Sequence, residues 1–410
     1  MAPYRILVVD DSAFMRKLFT DIIESDSSMT VVATADNGAT ALELVARHQP
    51  DAITLDLEMP VMNGLEALRE IMARKPLPVI MLSGISEENT RGTIAALQLG
   101  AFDFIRKPSG LSADIDQVAE ALLIRLKLAV KIRPRLPEAP SSGKKSHDYA
   151  AGSFGQRTAS KKVPERRQAS AEGNRQSAKP AGLDPAKAKK EKPPNVERSG
   201  RLAAPATPSA QPQAVGSASF RHIVGVGTST GGPRALHQLL SAIPGDLPAP
   251  ILVVQHMPPK FTHSLAQRLD SSSQLIVKEA VQEETIRSGT VYIAPGGYHM
   301  QLDKHAGEYR IKLTQDEPRN GHRPSVDLLF ESLAEHTELS RHAVVMTGMG
   351  SDGARGMKLL ADRGAMTTIA ESEETCVVYG MPRAAVEAGG ATTVLPLHDI
   401  ASELTAAVKK

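Results

Sequence analysis

The sequence predicts an α/β protein with two separately folded parts. Short apolar runs alternate with amphipathic helical patterns at both ends of the 410-residue chain, which is typical of parallel sheets wound on both sides by helices. Residues 133–219 lack this periodicity and are rich in Pro, Ala, Ser, Lys and Gln. Reactive side chains follow several of the apolar runs, at the strand ends where such folds bind ligands. We therefore expect folded domains at residues 1–132 and 220–410, joined by a linker at 133–219.

The composition argues against several classes of protein. No run of about 18 apolar residues is present, which argues against a membrane span, and the N-terminus enters an apolar strand at once, unlike a secretory signal. The single cysteine, Cys376, suits a reducing compartment, and we expect it to be a small packed residue. With no Trp and few aromatic residues, a surface that stacks nucleic-acid bases is not expected. The sequence predicts a soluble, cytoplasmic protein.

The middle segment carries the positive charge of the chain. Residues 133–219 contain 17 Lys and Arg against 7 Asp and Glu, whereas the remainder contains 31 against 39. Its isolated large apolar residues, such as Phe154 and Leu183, cannot bury enough surface to offset the entropy lost on ordering. We expect a disordered basic linker that keeps two acidic domains soluble and apart, with binding of nucleic acid or of an acidic protein surface by its basic clusters as the alternative.

The N-terminal domain has five predicted strands with helical patterns between them. The strands are residues 6–9, 31–33, 53–55, 78–82 and 103–105. Reactive residues end or follow four of them, namely Asp10, Asp11, Asp56, Ser83 and Lys107. Because the carboxyl ends of parallel strands share one edge of a sheet, these side chains are expected to converge there.

Three converging carboxylates would repel each other unless a divalent cation lay between them, and hard oxygen ligands suit Mg²⁺. A bound Mg²⁺ would allow Asp56 to act as a nucleophile toward a phosphoryl donor. Lys107 and the Ser83 hydroxyl would then neutralise the oxygens of the product. A rim of solvated acidic charges is the simpler alternative, but five suitable residues at four strand ends favour the phosphorylation site.

Residues 1–125 resemble the receiver domain of response regulators. The matching residues are Asp10, Asp11, Asp56, Ser83 and Lys107-Pro108. The resemblance implies a flavodoxin-like fold with a five-stranded parallel sheet, phosphorylation of Asp56 and a histidine kinase as phosphodonor. It also implies that Phe104 is the switch aromatic and that the backbone carbonyl of Glu58 joins the three carboxylates as a Mg²⁺ ligand.

A glycine-rich turn opens the C-terminal domain. The apolar run 223–226 leads into Gly227-Thr-Ser-Thr-Gly231, and a helical pattern follows. As G-x-S-x-G, the turn would lift Ser229 out of the sheet as a nucleophile; as the start of a dinucleotide fingerprint, it would bind a pyrophosphate; or Ser229 caps a helix. The dinucleotide interpretation is the weakest, because Thr230 occupies the third glycine position and His256, not an acidic residue, closes the next strand.

A serine nucleophile requires a base and a carboxylate that orients it. His256 follows the apolar run 251–254, and Asp352 follows the run 343–346 in a glycine-rich turn. Both therefore belong to strand ends, like Ser229. From the residues alone, a structural histidine and a helix-capping aspartate remain alternatives. The chain order Ser…His…Asp differs from that of α/β-hydrolases, so the motif does not imply their fold.

Six segments of residues 220–410 resemble the catalytic domain of chemotaxis protein-glutamate methylesterases. They are Gly227-Thr-Ser-Thr-Gly-Gly-Pro233, Gln255-His-Met-Pro258, Ala294-Pro-Gly-Gly-Tyr-His-Met300, Arg323-Pro-Ser-Val-Asp327, Thr347-Gly-Met-Gly-Ser-Asp-Gly353 and Tyr379-Gly-Met-Pro-Arg383. A receiver followed by this domain is that family's architecture. We expect a doubly wound, mostly parallel α/β domain with a β-hairpin formed by residues 290–300 and 309–313.

The resemblance implies a role for particular residues. The nucleophile falls on Ser229, the base on His256 and the orienting carboxylate on Asp352, while the backbone N–H of Met349 falls at an oxyanion donor. Four residues are assigned to the oxyanion and the substrate, namely Thr230, Met349, His299 and Arg323. The last two are second-rank candidates for shaping the cleft, for which a structural role is the alternative.

The implied function is hydrolysis of glutamate γ-methyl esters on chemoreceptors, with methanol as product, and deamidation of receptor glutamines. The esterase reaction would need no cofactor, whereas the receiver would need Mg²⁺. We expect an enzyme peripheral to membrane receptor arrays, without nucleic-acid partners, whose cleft the receiver covers until Asp56 is phosphorylated. The alternative is a response regulator with a non-catalytic, protein-binding output domain.

Overall fold

The computed structural model describes residues 2–84, 86–108, 112–131 and 219–410. The predicted linker lies outside the described residues except for Ser219, so its disorder and the two domain boundaries stay predictions. Within the described part of the chain, no helix is both long and apolar enough to cross a membrane.

The N-terminal domain is a five-stranded parallel sheet with the strand order β2-β1-β3-β4-β5. Its elements are β1 (Tyr4–Val9), α1 (Ala13–Glu24), β2 (Met29–Ala35), α2 (Gly38–His48), β3 (Ala52–Asp56), α3 (Gly64–Arg74), β4 (Val79–Ser83), α4 (Glu87–Leu99), β5 (Asp103–Arg106) and α5 (Ser112–Lys131). Strands β3 and β4 are buried along their whole length, as expected where helices cover both faces. The flavodoxin-like prediction is confirmed.

The C-terminal domain contains a seven-stranded sheet, β14-β13-β12-β6-β7-β9-β8, and a separate two-stranded sheet, β10-β11. Its elements are β6 (His222–Thr228), α6 (Gly232–Ala242), β7 (Ile251–Gln255), α7 (Phe261–Asp270), β8 (Ile276–Glu279), β9 (Thr290–Ile293), β10 (His299–His305), β11 (Glu308–Thr314), α8 (Val326–Glu335), β12 (Ser340–Val345), α9 (Ala354–Asp362), β13 (Thr367–Glu371), α10 (Met381–Glu387), β14 (Thr393–Leu395) and α11 (Leu397–Val408). Every strand pair of the large sheet is parallel.

The hairpin prediction was right in kind but wrong in extent. Strand β9, placed in the hairpin by sequence, pairs with β7 and β8 in the large sheet. The hairpin begins at His299, where β10 pairs with β11 in antiparallel register. Gly297, with φ +86°, lies between the two strands in a turn that a continuous strand could not contain.

Two glycines of β6 allow helix α8 to pack directly on the strand that leads to Ser229. A Cβ atom at Gly227 would lie 2.3 Å from Cγ1 of Val326, and one at Gly225 would lie 2.7 Å from Cδ1 of Leu333. Any larger side chain in these positions would push α8 away. The close approach therefore places the first turn of α8 beside the end of β6.

The two domains pack against each other through α4, β5 and α5 of the first and the Ser229 end of the second. The rings of Phe104 and Phe261 stack with their centroids 4.6 Å apart. Oγ1 of Thr90 and Oγ of Ser264 share a buried hydrogen bond of 2.8 Å. Val378 belongs to the same buried apolar cluster as the inner face of α5, with Met349 packed against it.

Candidate active site

Ser229 lies between the ends of two neighbouring strands. Strand β6 ends one residue before it and α6 begins at Gly232. Its N–H donates to the backbone oxygen of Thr347, beyond the end of β12, at 3.0 Å. Gly348 approaches so closely that an added Cβ would lie 2.8 Å from the Cβ of Ser229. The candidate nucleophile is half-buried and fixed by the backbone of both strand ends.

His256 follows β7, on the other side of β6. Its backbone N–H donates to the oxygen of Thr228 at 3.1 Å, and its Nε2 is hydrogen-bonded to Oδ2 of Asp352 at 2.8 Å. Because a carboxylate only accepts, Nε2 carries the hydrogen of this bond. Nδ1 is buried and has no hydrogen-bond partner among the described residues, so Ser229 does not bond to it in this structure. Nδ1 is the nitrogen that remains available for a serine hydroxyl.

Gln255 ties the loops of Ser229 and His256 together, a role that sequence reasoning missed. Its Nε2 donates to the backbone oxygens of Ser229 at 3.0 Å and of His256 at 3.1 Å. Its Oε1 accepts from the hydroxyl of Thr228 at 2.5 Å. A glutamine at a strand end has no pattern that marks it as functional. Its position directly before His256 was the one sequence feature that could have indicated Gln255.

Asp352 accepts hydrogen bonds from the first turn of α8 as well as from His256. The N–H groups of Val326 and Asp327 donate to it at 2.7 and 3.1 Å, and the hydroxyl of Ser325 donates at 2.9 Å. Burial alone would raise the pKa of this carboxyl, but the bonds from His256 and from the helix N-terminus outweigh it and lower the pKa. Asp352 is therefore held as the anion.

Asp327 provides the reciprocal contact. Its Oδ1 accepts from the N–H groups of Gly353 and Gly356, at 3.0 and 2.8 Å, at the start of α9. Asn320 donates to both carboxylates, at 3.1 Å to Asp327 and 3.3 Å to Asp352. Burial raises the pKa of Asp327. Asp352 thus binds the first turn of α8, which carries Asp327, and Asp327 binds the start of α9, which follows the loop of Asp352. The position of Asp352 depends on α8 as much as on its own loop.

His256, His322 and Asp352 each place one possible ligand atom within 4.8 Å of the others. The two imidazole rings, however, are stacked face to face, 3.8 Å between centroids and 12° between planes. An imidazole binds a metal through a nitrogen lone pair that lies in the plane of the ring. Because the two rings are stacked and nearly parallel, their lone pairs lie in two separate planes and do not converge on one point. The arrangement does not suit one shared metal ion.

The two candidate oxyanion residues lie on the two loops that enclose Ser229. Thr230 is the next residue along the chain, and its hydroxyl donates to Oδ2 of Asp103, in the N-terminal domain, at 2.7 Å. Met349 follows Gly348, whose N–H donates to the oxygen of Val378 at 3.0 Å. The role of their backbone N–H groups stays a prediction.

His299 and Arg323 both bind the backbone of the loop that follows β11. Nε2 of His299 is hydrogen-bonded to the oxygen of Glu317 at 3.1 Å, and burial lowers its pKa. Nη1 of Arg323 donates to the oxygens of Gln315 and Asp316 at 2.8 and 2.9 Å. These contacts support the structural alternative, while a part in shaping the cleft stays untested.

The strand-end residues of the N-terminal domain also lie together. Nζ of Lys107 is 2.7 Å from Oδ2 of Asp10 and 2.9 Å from Oδ1 of Asp56, and Asp11 places an oxygen within 4.8 Å of both carboxylates. Burial raises the pKa of Asp56 to about 6, despite the opposing effect of Lys107. Three carboxylates on one rim fit Mg²⁺, which takes oxygen ligands and keeps several waters.

Of the three receiver-switch candidates, Ser83 and Phe104 are more buried than Lys107. The hydroxyl of Ser83 donates to the oxygen of Gly84 at 3.0 Å and accepts from Thr93 at 2.7 Å. Phe104 is buried between the domains against Phe261. Glu58 follows Asp56 by two residues and is exposed. These positions agree with the receiver pattern without testing the roles that the pattern implies.

The fold and these two sites define a class of protein with two parts. The first is a receiver-type domain, and the second is an α/β domain in which a serine, a histidine and an aspartate follow three neighbouring strands. The comparisons with known proteins identify the family. Residues 6–119 match the response regulator receiver domain, and residues 224–404 match the CheB methylesterase domain.

The relatives match this chain over nearly its whole length, across both domains. A protein-glutamate methylesterase/protein-glutamine glutaminase of Symbiobacterium thermophilum is 44% identical over 412 residues, covering 99% of this chain and 97% of that protein. Proteins of the same name from Geobacillus kaustophilus and Bacillus subtilis are 42% and 41% identical, over 98% and 99% of this chain and 98% and 99% of theirs. The chain belongs to the protein-glutamate methylesterase/protein-glutamine glutaminase family, a family of carboxylic ester hydrolases and deamidases, and the predicted resemblance is confirmed.

Proposed function

We propose that this chain hydrolyses glutamate γ-methyl esters on chemoreceptors through a glutamyl-enzyme on Ser229, and deamidates receptor glutamines by the same route. The observation that carries the proposal is the His256–Asp352 pair beside Ser229, at the ends of the two strands that flank β6. The relatives' names supply the two substrate classes.

The geometry supports a definite assignment of protons. Asp352 holds the Nε2–H of His256, which leaves the Nδ1 lone pair to accept the proton of the Ser229 hydroxyl as Oγ attacks the ester carbonyl. The backbone N–H groups of Thr230 and Met349 stabilise the oxyanion, and one such donor is typically worth ~3 kcal/mol. Nδ1–H then protonates the departing methanol, or ammonia when the substrate is an amide. Water, deprotonated by Nδ1, hydrolyses the glutamyl-enzyme and regenerates the serine.

Regulation is the second part of the proposal. Thr230, beside the candidate nucleophile, donates to Asp103 of the N-terminal domain, and Met349 packs against the apolar cluster that Val378 shares with α5. These contacts support a receiver that covers the cleft before phosphorylation. A histidine kinase would phosphorylate Asp56, and Asp10, Asp11, Asp56 and the carbonyl of Glu58 would hold the Mg²⁺ that supplies neutralising charge. Phosphorylation then shifts the population toward an open arrangement.

Methanol release from methylated receptor membranes tests the reaction. We expect Ser229→Ala to abolish release above background, because the variant lacks the hydroxyl on which the proposed glutamyl-enzyme forms. Ser241→Ala is the matched control, since Ser241 lies on α6 and its hydroxyl bonds to none of the described residues. Equal release by wild type and Ser229→Ala would refute the mechanism and would favour a non-catalytic output domain.

The regulatory part has its own measurement. Wild type is expected to release methanol faster with a small-molecule phosphodonor and Mg²⁺ than without, whereas Asp56→Asn should show the lower rate in both conditions. Equal rates for the two proteins under both conditions would exclude control by Asp56.

A further inference from the structure

His322 contacts the candidate base directly but has no part in the proposed mechanism. Its ring lies flat on the ring of His256, with 3.8 Å between centroids and 12° between planes. It comes from the loop between β11 and α8, far from both strand ends in sequence. Its Nδ1 is buried and has no hydrogen-bond partner within the part of the chain that the structure describes, and the ring contacts the site through its face.

The loop that carries His322 is anchored to the support of Asp352. His322 and Arg319 exchange backbone hydrogen bonds of 2.9 and 3.0 Å, closing a turn through Asn320 and Gly321, both at positive φ. The guanidinium of Arg319 pairs with Glu331 of α8 at 2.7 Å. The amide of Asn320 bonds to Asp352 itself. One rigid segment therefore holds both the plane of His322 and the carboxylate that binds the base.

The surroundings of His322 keep its ring neutral. Burial and the neighbouring His256 lower its pKa to about 4, and Arg125 of α5 acts in the same direction, while Asp352 opposes them. A neutral aromatic face attracts a cation placed over it, whereas a second imidazolium would repel one. The imidazolium that forms on His256 during acyl transfer would thus lie on a favourable surface.

We propose that His322 is a positioning residue for the base: its ring face confines His256 to the plane in which Nε2 holds Asp352 and Nδ1 is presented to Ser229. This inference rests on the proposed esterase function and deepens it. Ring rotation would otherwise be restrained by the single bond to Asp352, because Nδ1 is unbonded in this structure. The contact stabilises the transition state, in which His256 must hold its productive orientation, but it adds little to the affinity for the receptor. It therefore acts on kcat and not on KM.

The test compares His322→Ala, which removes the face, with His322→Phe, which keeps it, in the full-length chain with phosphodonor. We expect kcat for methanol release to fall about tenfold in His322→Ala with KM within about twofold of wild type, and to return close to wild type in His322→Phe. His305→Ala, at an exposed position of the hairpin, is the control for loss of a histidine. Thermal unfolding is measured for each variant, and His322→Leu, which has bulk but no flat face, replaces His322→Ala if the latter does not fold.

A second readout does not depend on the receptor. The rate at which a fluorophosphonate labels Ser229 should fall in His322→Ala and recover in His322→Phe. Wild-type kcat in His322→Ala would overturn the inference, and so would equal loss in both variants, because the nitrogen and not the face would then be required. Absence of any difference between wild type and Ser229→Ala would instead refute the proposed function.

Discussion

At the scale of single residues, the site depends on groups that hold the three reacting side chains. Asp352 receives four hydrogen bonds besides the one from His256, so its charge is stabilised by a helix N-terminus before any chemistry occurs. Thr347 has a comparable role for the nucleophile. Its oxygen accepts from Ser229, its hydroxyl donates to the oxygen of Thr230, and its N–H donates to the buried carboxylate of Glu371.

Gly348 tests how closely this support constrains Ser229. An alanine Cβ there would lie 2.8 Å from the Cβ of Ser229 and 2.3 Å from Sδ of Met381. The flexible side chain of Met381 can move away from the new Cβ. Ser229 has no such freedom, because its N–H and its oxygen are both hydrogen-bonded, so the clash is relieved only by displacing the nucleophile from its present position. We expect Gly348→Ala to lower kcat on the order of 100-fold, since small displacements of reacting groups have effects of this size.

The measurement is methanol release by phosphodonor-activated protein, with circular dichroism as a check on folding. Gly307→Ala, in the turn of the hairpin, is the control for a glycine substitution outside the site. Its φ of +85° strains the backbone there, but its Cβ would meet no described atom within 4 Å, so kcat should stay close to wild type. Retention of wild-type kcat in Gly348→Ala would show that the position of Ser229 is not set by this contact.

At the scale of the elements, the sequence predicted the parts of the site that lie at strand ends. The apolar runs before Ser229, His256 and Asp352 indicated three strands, and parallel pairing of β7 and β12 with β6 places their ends side by side. The order of the seven strands was not predictable, because each buried run is equally apolar and nothing in it specifies a neighbour.

The sequence indicated Arg323-Pro-Ser-Val-Asp327 through the resemblance, but it did not reveal that Asn320 and Ser325 bind Asp352 or that His322 stacks on His256. These residues belong to the loop from Arg319 to Ser325. It has no periodicity, and its residues reach the site only because Gly225 and Gly227 allow α8 to pack on β6. The same reason explains the error in the hairpin: β9 and β10 are separated by a two-glycine turn, and the apolar pattern continues through it. Long-range packing, not local propensity, decides both features.

Two histidines meet at the opposite end of β6, the buried His342 and the half-buried His222, and they give a prediction for stability. Nε2 of His342, on β12, is 3.1 Å from Nδ1 of His222, and its Nδ1 is 2.5 Å from the hydroxyl of Thr367. Burial and His222 lower the pKa of His342 to about 4. The unfolded chain, with a histidine pKa of about 6.5, binds more protons than the folded protein between these values. Stability therefore falls as the pH falls from about 6.5 to 4, by about 2 kcal/mol at pH 5 for this group.

Urea unfolding at pH 7 and pH 5 measures this effect. His342→Gln should be less stable than wild type at pH 7, because a packed ring is lost, but its stability should change less between the two pH values. His398→Gln, on the exposed face of α11, should retain the wild-type difference. An unchanged pH dependence in His342→Gln would assign the acid sensitivity to other groups.

At the scale of the whole molecule, the two domains share a polar contact directly beside the candidate nucleophile, between Thr230 and Asp103. The carboxylate of Asp103 accepts hydrogen bonds from both domains. Oδ2 accepts from the hydroxyl of Thr230 at 2.7 Å and from Nε of Arg125 at 3.1 Å. Oδ1 accepts from the N–H of Phe104. The contact is adjacent in sequence to both Ser229 and the switch aromatic. A shift of Phe104 on phosphorylation would therefore move the acceptor that holds Thr230.

The variant Asp103→Asn isolates that contact. If the new amide turns its NH₂ toward Thr230, the hydroxyl of Thr230 loses its acceptor while the volume of the side chain is kept, so the covered arrangement is weakened by about 1 kcal/mol or more. We expect methanol release without phosphodonor to rise several-fold and the further increase with phosphodonor to shrink, because the open population is already larger. Asp116→Asn, an exposed change of the same kind on α5, should behave as wild type. An unaltered basal rate in Asp103→Asn, with Ser229-dependent activity intact, would mean that the apolar contacts of Phe104 and α5 hold the domains together without it.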